Sequence, residues 1–299
     1  MIDSFQSLLD IFFVLTILES SSNVNLFYIK GYFMSYFKEK VCWVTGASSG
    51  IGEGIVKQLA SKGAFVVLSA RRKEELLRVQ KQSGLTDTNS LVLSMDLSNP
   101  ESFQKCYTEV IKVFKKVDIL FNNGGISQRS LVKDTDLSTY KKIFDVNFFG
   151  NIALTKVVLQ DMIHQKSGSI VVISSIVGKV ATQLRSGYSA SKHALHGFYD
   201  SLRLEVADDN IQVLTVLPGF INTNVSLNAL TGNGEKYDKM DDALSEGMSA
   251  EECSIRILEA IESKQSEVII AGLKENFAVI LKKIAPDLLD KLLRSTKVT

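Results

Sequence analysis

Tyr188 and Lys192 stand four residues apart in the run Tyr188-Ser189-Ala190-Ser191-Lys192, a spacing that puts both side chains on one face of a helix. A phenol titrates near about 10, so it handles protons poorly at neutral pH unless positive charge favours the phenolate. Lys192 offers such a charge. Upstream, Ile173-Ser174-Ser175 ends an apolar run with a hydroxyl. Near the phenol, the Ser175 hydroxyl would polarise a carbonyl oxygen while Tyr188 delivers a proton to it.

A second group of residues suits phosphate. Thr45-Gly46-Ala47-Ser48-Ser49-Gly50-Ile51-Gly52 follows an apolar run and opens into a helical pattern. Backbone at Gly46, Ser48, Ser49, Gly50, Ile51 and Gly52 would approach a pyrophosphate that faces the helix N-terminus. Its spacing, G-x-x-x-G-x-G, departs from the common dinucleotide fingerprint G-x-G-x-x-G. At the end of the next β-branched run, Leu68-Ser69-Ala70-Arg71-Arg72 lacks the carboxylate that accepts from a ribose 2′-hydroxyl. Arg71 and Arg72 supply two guanidinium groups in its place, the chemistry that clamps the 2′-phosphate of NADP(H).

Positioning these groups takes a sheet with helices on both sides. Short β-branched runs alternate with longer amphipathic ones, and the spacing predicts strands near Lys40–Thr45, Phe65–Ala70, Ser90–Met95, Asp118–Asn122, Ser169–Ser174, Ile211–Leu217 and Glu267–Ile270. Their apolar character implies burial on both faces. Ile51, Ile55 and Leu59 repeat at helical spacing, and Ser98-Asn99-Pro100-Glu101 carries a capping box with Pro in the first turn. The expected fold is α/β: a single doubly wound Rossmann-type domain with a seven-stranded, mostly parallel sheet.

Composition narrows the function classes. The chain has 299 residues, with 34 basic and 33 acidic side chains and a formal net charge of +1, which argues against nucleic acid as a partner. Cys42, Cys106 and Cys253 are odd in number and form no C-x-x-C pair, which suits a reducing, cytoplasmic setting. His193 and His196 share a helix face, but no Cys, Asp or Glu recurs beside them at ligand spacing, so no metal is expected.

The ends differ from the middle. Leu8–Leu18 is strongly apolar yet too short to span a bilayer and contains Asp10, so residues 1–38 read as an N-terminal apolar extension or weak membrane-associating segment. Membrane placement through it is the alternative to a cytoplasmic one. Met34 stands just before the domain, and residues 1–33 would be missing from a product begun there. Residues 39–272 read as the NADP-binding domain, with a glycine-containing lid at about 220–250. Within it, Val225, Leu227, Leu230 and Met240 suit a hydrophobic substrate. Residues 273–299 read as an amphipathic helical tail that packs on the chain itself or on a sister subunit in preference to a membrane.

Together these residues resemble the short-chain dehydrogenase/reductase family, from about Lys40 to Gly272. Within that family, Asn122–Leu131, Tyr188–Gly197 and Thr223–Thr231 resemble the dehydrogenase/reductase member seven and seven B group and its bacterial homologues. The resemblance makes Asn147, Ser175, Tyr188 and Lys192 the catalytic set, with Asn147 holding a proton relay. It makes Asp96 an adenine contact and Asn122-Asn123-Gly124-Gly125 the family's Asn-Asn-Ala-Gly motif, with Gly124 in place of Ala. Tyr188 and Lys192 also meet the cofactor, as would Asn123, Gly124, Pro218, Gly219, Ile221 and Thr223.

The implied activity is an NADPH-dependent oxidoreductase, a carbonyl reductase or alcohol dehydrogenase, moving hydride between nicotinamide C4 and a hydrophobic, lipid-like or otherwise bulky small-molecule substrate. The implied assembly is a homodimer or homotetramer. Two other readings stay open: a non-catalytic NADP(H)-binding sensor or scaffold, and an NAD-linked alcohol dehydrogenase. Retention of Tyr188 argues against the first, and Arg71 with the missing carboxylate argues against the second.

Overall fold

Val41-Cys42-Trp43-Val44-Thr45 is buried at every position, which a strand achieves only when both faces of its sheet are covered. The computed structural model describes residues 35–295, and the compact unit that carries the site begins at Phe37. The apolar Leu8–Leu18 segment and the last four residues lie outside the described residues.

The strands are β1 (Val41–Thr45), β2 (Phe65–Ala70), β3 (Ser90–Ser94), β4 (Ile119–Asn122), β5 (Gly168–Ile173), β6 (Ile211–Pro218) and β7 (Glu267–Ile270). They form one sheet in the order β3-β2-β1-β4-β5-β6-β7, and every neighbouring pair is parallel. The chain starts in the middle, builds one half, then crosses to build the other, which leaves a crevice at the carboxyl ends of β1 and β4. Each of the seven expected strands is present, within a residue or so at either end.

The crossovers are helical: α1 (Gly50–Ser61), α2 (Lys73–Gln82), α3 (Phe103–Phe114), α4 (Leu137–Phe144), α5 (Gly150–Gln165), α6 (Ser186–Glu205) and α7 (Ala250–Glu262). One core gathers Val41 and Trp43 of β1 with Phe103 and Val110 of α3, Leu154 and Val158 of α5, and Leu195 and Tyr199 of α6. Cys42 and Val44 alternate to the opposite face, as the two-residue period of a strand requires. Trp43 is fully buried, and its indole N–H donates to Ser69 Oγ at 2.9 Å, so its one polar atom is satisfied.

The tail departs from a single helix. Pro286 has no N–H to continue the ladder, and the chain breaks at Ala285 into α8 (Leu273–Ile284) and α9 (Pro286–Ser295). Val279, Leu281 and Leu289 pack onto Ile176, Val180 and Leu217, so the tail docks on its own domain. Leu273, Phe277, Ile284 and Leu288 remain exposed. Among the described residues, no helix is long and apolar enough to cross a membrane.

At the edge of the sheet, Glu267 is held down to about 2. The pull comes first from His196, whose Nδ1 stands 3.6 Å away, just beyond hydrogen-bonding distance, and then from the Lys179 ammonium at 2.9 Å. A depressed carboxylate adds stability above its unfolded value near about 4.3 and loses it as pH falls through the folded one. Thermal melts of Glu267→Gln should therefore show a Tm deficit at pH 7 that shrinks between about pH 4 and pH 2. A deficit constant across that window would refute the ionic origin.

Candidate functional site

The parallel register levels the strand ends: Thr45 lies beside Ser69, Val44 beside Phe121, and Asn122 beside Val172. Loops that leave β1, β2, β4, β5 and β6 therefore open on one cleft of about 870 Å³. Its walls include Gly46, Ser48, Ser49, Gly50, Ile51, Arg71, Arg72, Asp96, Asn123, Gly124, Ser175, Tyr188, Lys192, Pro218, Gly219, Ile221 and Thr223. Of the expected catalytic and cofactor-binding residues, Gly52 and Asn147 do not line it.

One end of the cleft is a phosphate cradle. Gly46 has φ +64°, and a Cβ there would stand 2.8 Å from Gly124 Cα. A Cβ on Gly52 would come within 2.3 Å of the Gly46 carbonyl oxygen, so its role is to let α1 pack under the turn. Thr45 Oγ1 accepts from the N–H groups of Asn123 and Gly124 at 3.0 and 2.9 Å, and Asn123 Nδ2 donates to the Thr45 carbonyl at 2.9 Å. Those bonds clamp the turn to the loop after β4. Ser49 makes no side-chain cap on α1, so the first-turn N–H groups face the cleft uncapped by it. Arg71 and Arg72 line the wall beyond, and Asp96 accepts from the Ser98 N–H and hydroxyl at 2.9 and 2.8 Å. A dinucleotide fits this chemistry: tight backbone, helix N-terminus and two guanidinium groups.

Sequence reasoning missed Arg78 of α2, which donates to the Ser48 carbonyl at 3.2 Å and to Glu53 of α1 at 2.9 Å, bracing the turn from behind. Only an isolated Arg in a charged helix marks it in the sequence. Gly124 also has a local reason, since a Cβ there would meet Leu97 Cδ1 at 2.5 Å.

The other end carries proton chemistry. Ser175 Oγ accepts from the Val177 N–H at 3.3 Å and donates to the Pro218 carbonyl at 3.4 Å. Lys192 is buried, with Nζ donating to the Ile173 carbonyl at 2.7 Å and lying 5.7 Å from the Tyr188 ring centroid. Burial lowers the ammonium to about 8. Tyr188 is raised overall by desolvation, and the opposing pull comes from Arg185, then a hydrogen bond with Ser175, then Arg129. The ammonium is thus turned toward a backbone carbonyl on the strand side of the phenol ring.

Asn147 sits in a widened π-type turn, Asp145–Phe149, between α4 and α5. Its amide accepts from the Ile126 N–H at 2.8 Å and donates to the Ile126 carbonyl at 2.9 Å and to Ser191 Oγ at 3.0 Å. It ties the loop after β4 to α6, one residue from Lys192. Its own carbonyl accepts from Asn151 Nδ2 at 2.6 Å.

The 220–250 segment is more built-in than its glycines suggest. Ile221–Asn222 pairs with Met248–Ser249, and Leu230 exchanges backbone bonds with Ser127 and Arg129 at 2.9 and 2.8 Å. Val225 and Leu230 line the cleft, whereas Leu227 and Met240 do not. Asp241 is buried and paired with Arg129 and Arg185, a cluster that no local spacing announces. His196 and His193 make structural contacts: His196 Nε2 meets Ser174 Oγ at 3.0 Å, and His193 Nδ1 meets the Ser189 carbonyl at 2.8 Å. Among the described residues, no cluster of three His, Cys, Asp or Glu could hold a metal.

Comparison with known proteins agrees with this geometry. Residues 40–233 match a family model described as short chain dehydrogenase. A Drosophila melanogaster protein called dehydrogenase/reductase SDR family protein 7-like is 43% identical over 86% of this chain and 80% of its own length. The mouse (Mus musculus) dehydrogenase/reductase SDR family member 7B is 38% identical over 87% of this chain and 82% of its own. A crystal structure of a short-chain dehydrogenase from Streptomyces avermitilis superposes with a TM-score of 0.74 at 28% identity, covering 87% of this chain and 98% of that one.

Proposed function

Since this chain belongs to the short chain dehydrogenase family and is an oxidoreductase of that kind, we propose that it is an NADPH-dependent reductase of bulky, apolar carbonyl compounds. The observation that carries this reading is the single cleft that joins the glycine turn, Arg71 and Arg72 at one end to Ser175, Tyr188 and Lys192 at the other. Residues 39–272 form the catalytic domain in this reading, and residues 220–250 cover the substrate.

Gly46, Ser48, Ser49, Gly50 and Ile51 hold the pyrophosphate, Arg71 and Arg72 hold the 2′-phosphate, and Asp96 meets the adenine. Asn123, Gly124, Pro218, Gly219, Ile221 and Thr223 line the nicotinamide half. Bound NADPH supplies the hydride. Ser175 Oγ, on the same cleft wall as Tyr188, donates to the carbonyl oxygen, and Tyr188 delivers the proton as negative charge builds there. Lys192 orients the ribose end, and Asn147 keeps its helix and the β4 loop in register. Val225, Leu230 and Leu244 give the substrate side an apolar wall, which favours a ketone or aldehyde of lipid-like bulk. Family membership favours a homodimer or homotetramer, and three buried free thiols suit a reducing cytoplasm.

Fluorescence titration with NADPH and NADH in parallel tests the cofactor assignment. NADPH should bind at least about tenfold tighter, because a guanidinium–phosphate contact contributes about 1.5–3 kcal/mol. The double variant Arg71→Ser, Arg72→Ser should abolish the difference. Equal affinities in the unaltered protein would move the reading to an NAD-linked alcohol dehydrogenase. Tight binding without NADPH consumption across ketones and aldehydes would move it to a sensor.

A further inference from the structure

We propose that Gln128 is a positioning residue for Tyr188: its buried amide caps α6 from across the fold and sets the proton donor in register with the apolar wall that Leu230 gives the cleft. The inference rests on reading Tyr188 as that donor.

A helix leaves its first-turn N–H groups without partners, and a side chain at its own N-terminus usually supplies an acceptor for one of them. Arg185 holds that place on α6 and makes no side-chain cap. The acceptor comes instead from 59 residues upstream: Gln128 Oε1 takes the Gly187 N–H at 2.6 Å, one residue before Tyr188. Gln128 is fully buried in the loop after β4. A Cβ on Gly187 would stand 3.0 Å from that oxygen and 2.7 Å from Tyr140 Cδ1, so the close approach needs glycine there.

The other half of the amide is fixed by hydroxyls. Nε2 donates to Ser130 Oγ at 3.0 Å, to Thr135 Oγ1 at 3.2 Å and to Ser186 Oγ at 3.5 Å. Turned over, the amide would set its own N–H groups against the Gly187 N–H, donor against donor. One orientation is therefore enforced.

A second amide holds the other side of Tyr188. Asn147 Nδ2 donates to Ser191 Oγ at 3.0 Å, and Ser191 Oγ donates to the Tyr188 carbonyl at 2.8 Å. Asn147 in turn bonds both backbone groups of Ile126. The backbone before and after the phenol thus answers to one short stretch, Ile126 to Gln128. The substrate segment pairs with that same stretch: the Leu230 N–H donates to the Ser127 carbonyl at 2.9 Å and the Arg129 N–H to the Leu230 carbonyl at 2.8 Å, on either side of Gln128. Leu230 and Tyr188 both line the cleft. The backbone at Gln128 therefore registers the wall, and its side chain registers the donor. Proton transfer needs its partners within hydrogen-bond reach, and a misplacement of about 1 Å can cost about 10²-fold in rate.

Hydrogen exchange in peptides spanning residues 184–190 of the full chain tests the cap. The ¹³C line of tyrosine Cζ, assigned to Tyr188 by its loss in Tyr188→Phe, tests the position. Gln128→Leu should speed that exchange by at least about tenfold and broaden or split the Tyr188 line. Gln128→Glu keeps an acceptor oxygen at the helix N-terminus, where the neighbouring hydroxyls can rotate to donate to it, and should restore both. With 2-decanone as the carbonyl probe, turnover per NADPH-binding site should fall about 10- to 100-fold in Gln128→Leu, with NADPH affinity within about threefold, and should recover in Gln128→Glu. Should Gln128→Leu fail to fold, Gln128→Met decides in its place. Unchanged exchange overturns the proposal, as does faster exchange with the Tyr188 line and turnover unmoved, or a Gln128→Glu that rescues neither. The exchange and the ¹³C line need no turnover and read Gln128 by themselves. Failure of the donor reading would instead show as undiminished turnover in Tyr188→Phe.

Discussion

Tyr188→Phe should lower the turnover of the proposed NADPH-driven carbonyl reduction by about 10²–10⁴-fold, the usual worth of a positioned general acid, and leave cofactor affinity within about threefold. The asymmetry follows from where the phenol sits. Its ring is partly buried among Ser175, Lys192 and the first turn of α6, so phenylalanine keeps the packing and removes only the O–H. The cradle for phosphate is clamped by Thr45 and Asn123, and neither bonds to Tyr188. Steady-state kinetics and fluorescence titration on the same preparation check both halves. A variant that binds NADPH and still turns over at the full rate would remove Tyr188 from the chemistry.

Trp43→Ala should cost about 3–5 kcal/mol of stability, the range for deleting a large buried aromatic side chain. For a domain of this size that corresponds to a fall in Tm on the order of 10 °C. Trp43 lies in the middle of β1, beside Val67 of β2 and Leu120 of β4, in the core that α3, α5 and α6 cover. No flexible neighbour stands ready to fill the space, because strands pair on both sides. Ser69 Oγ keeps a partner in the Val44 carbonyl at 3.2 Å, so the loss is one of packing rather than of hydrogen bonding. Trp43→Phe should recover more than half of the deficit in calorimetry. A Tm unchanged in Trp43→Ala would mean that this core is not the stabilising one.

The strands were legible because each is a β-branched run buried on both faces, a pattern that needs no tertiary information; Ile170 to Ile173 is an example. The glycine turn, Ser175, Tyr188 and Lys192 were legible for a related reason, since each lies at a fixed step from a strand end or on one helix face. What stayed hidden depends on distant segments meeting. Arg129 and Asp241 are 112 residues apart, so no local spacing pairs them. Arg78 reads as one more surface cation until α2 is laid beside the phosphate turn. The direction of the Lys192 ammonium was illegible too, because a four-residue step fixes the helix face and not the acceptor that the long side chain finds. Pro286 was in plain view, yet the apolar periodicity on either side of it masked the break between α8 and α9.

The docking of α8 and α9 ties the end of the polypeptide to the chemistry. Ile176 and Leu217, which those helices cover, are chain neighbours of Ser175 and Pro218, and Ser175 leans on the Pro218 carbonyl. Clipping the chain after Gly272 would spare every strand and yet wet the underside of the loop that aims the serine hydroxyl. If Ser175 acts as proposed, such a trimmed protein should keep its Rossmann scaffold and its grip on nucleotide while losing rate, which steady-state kinetics beside nucleotide titration would read.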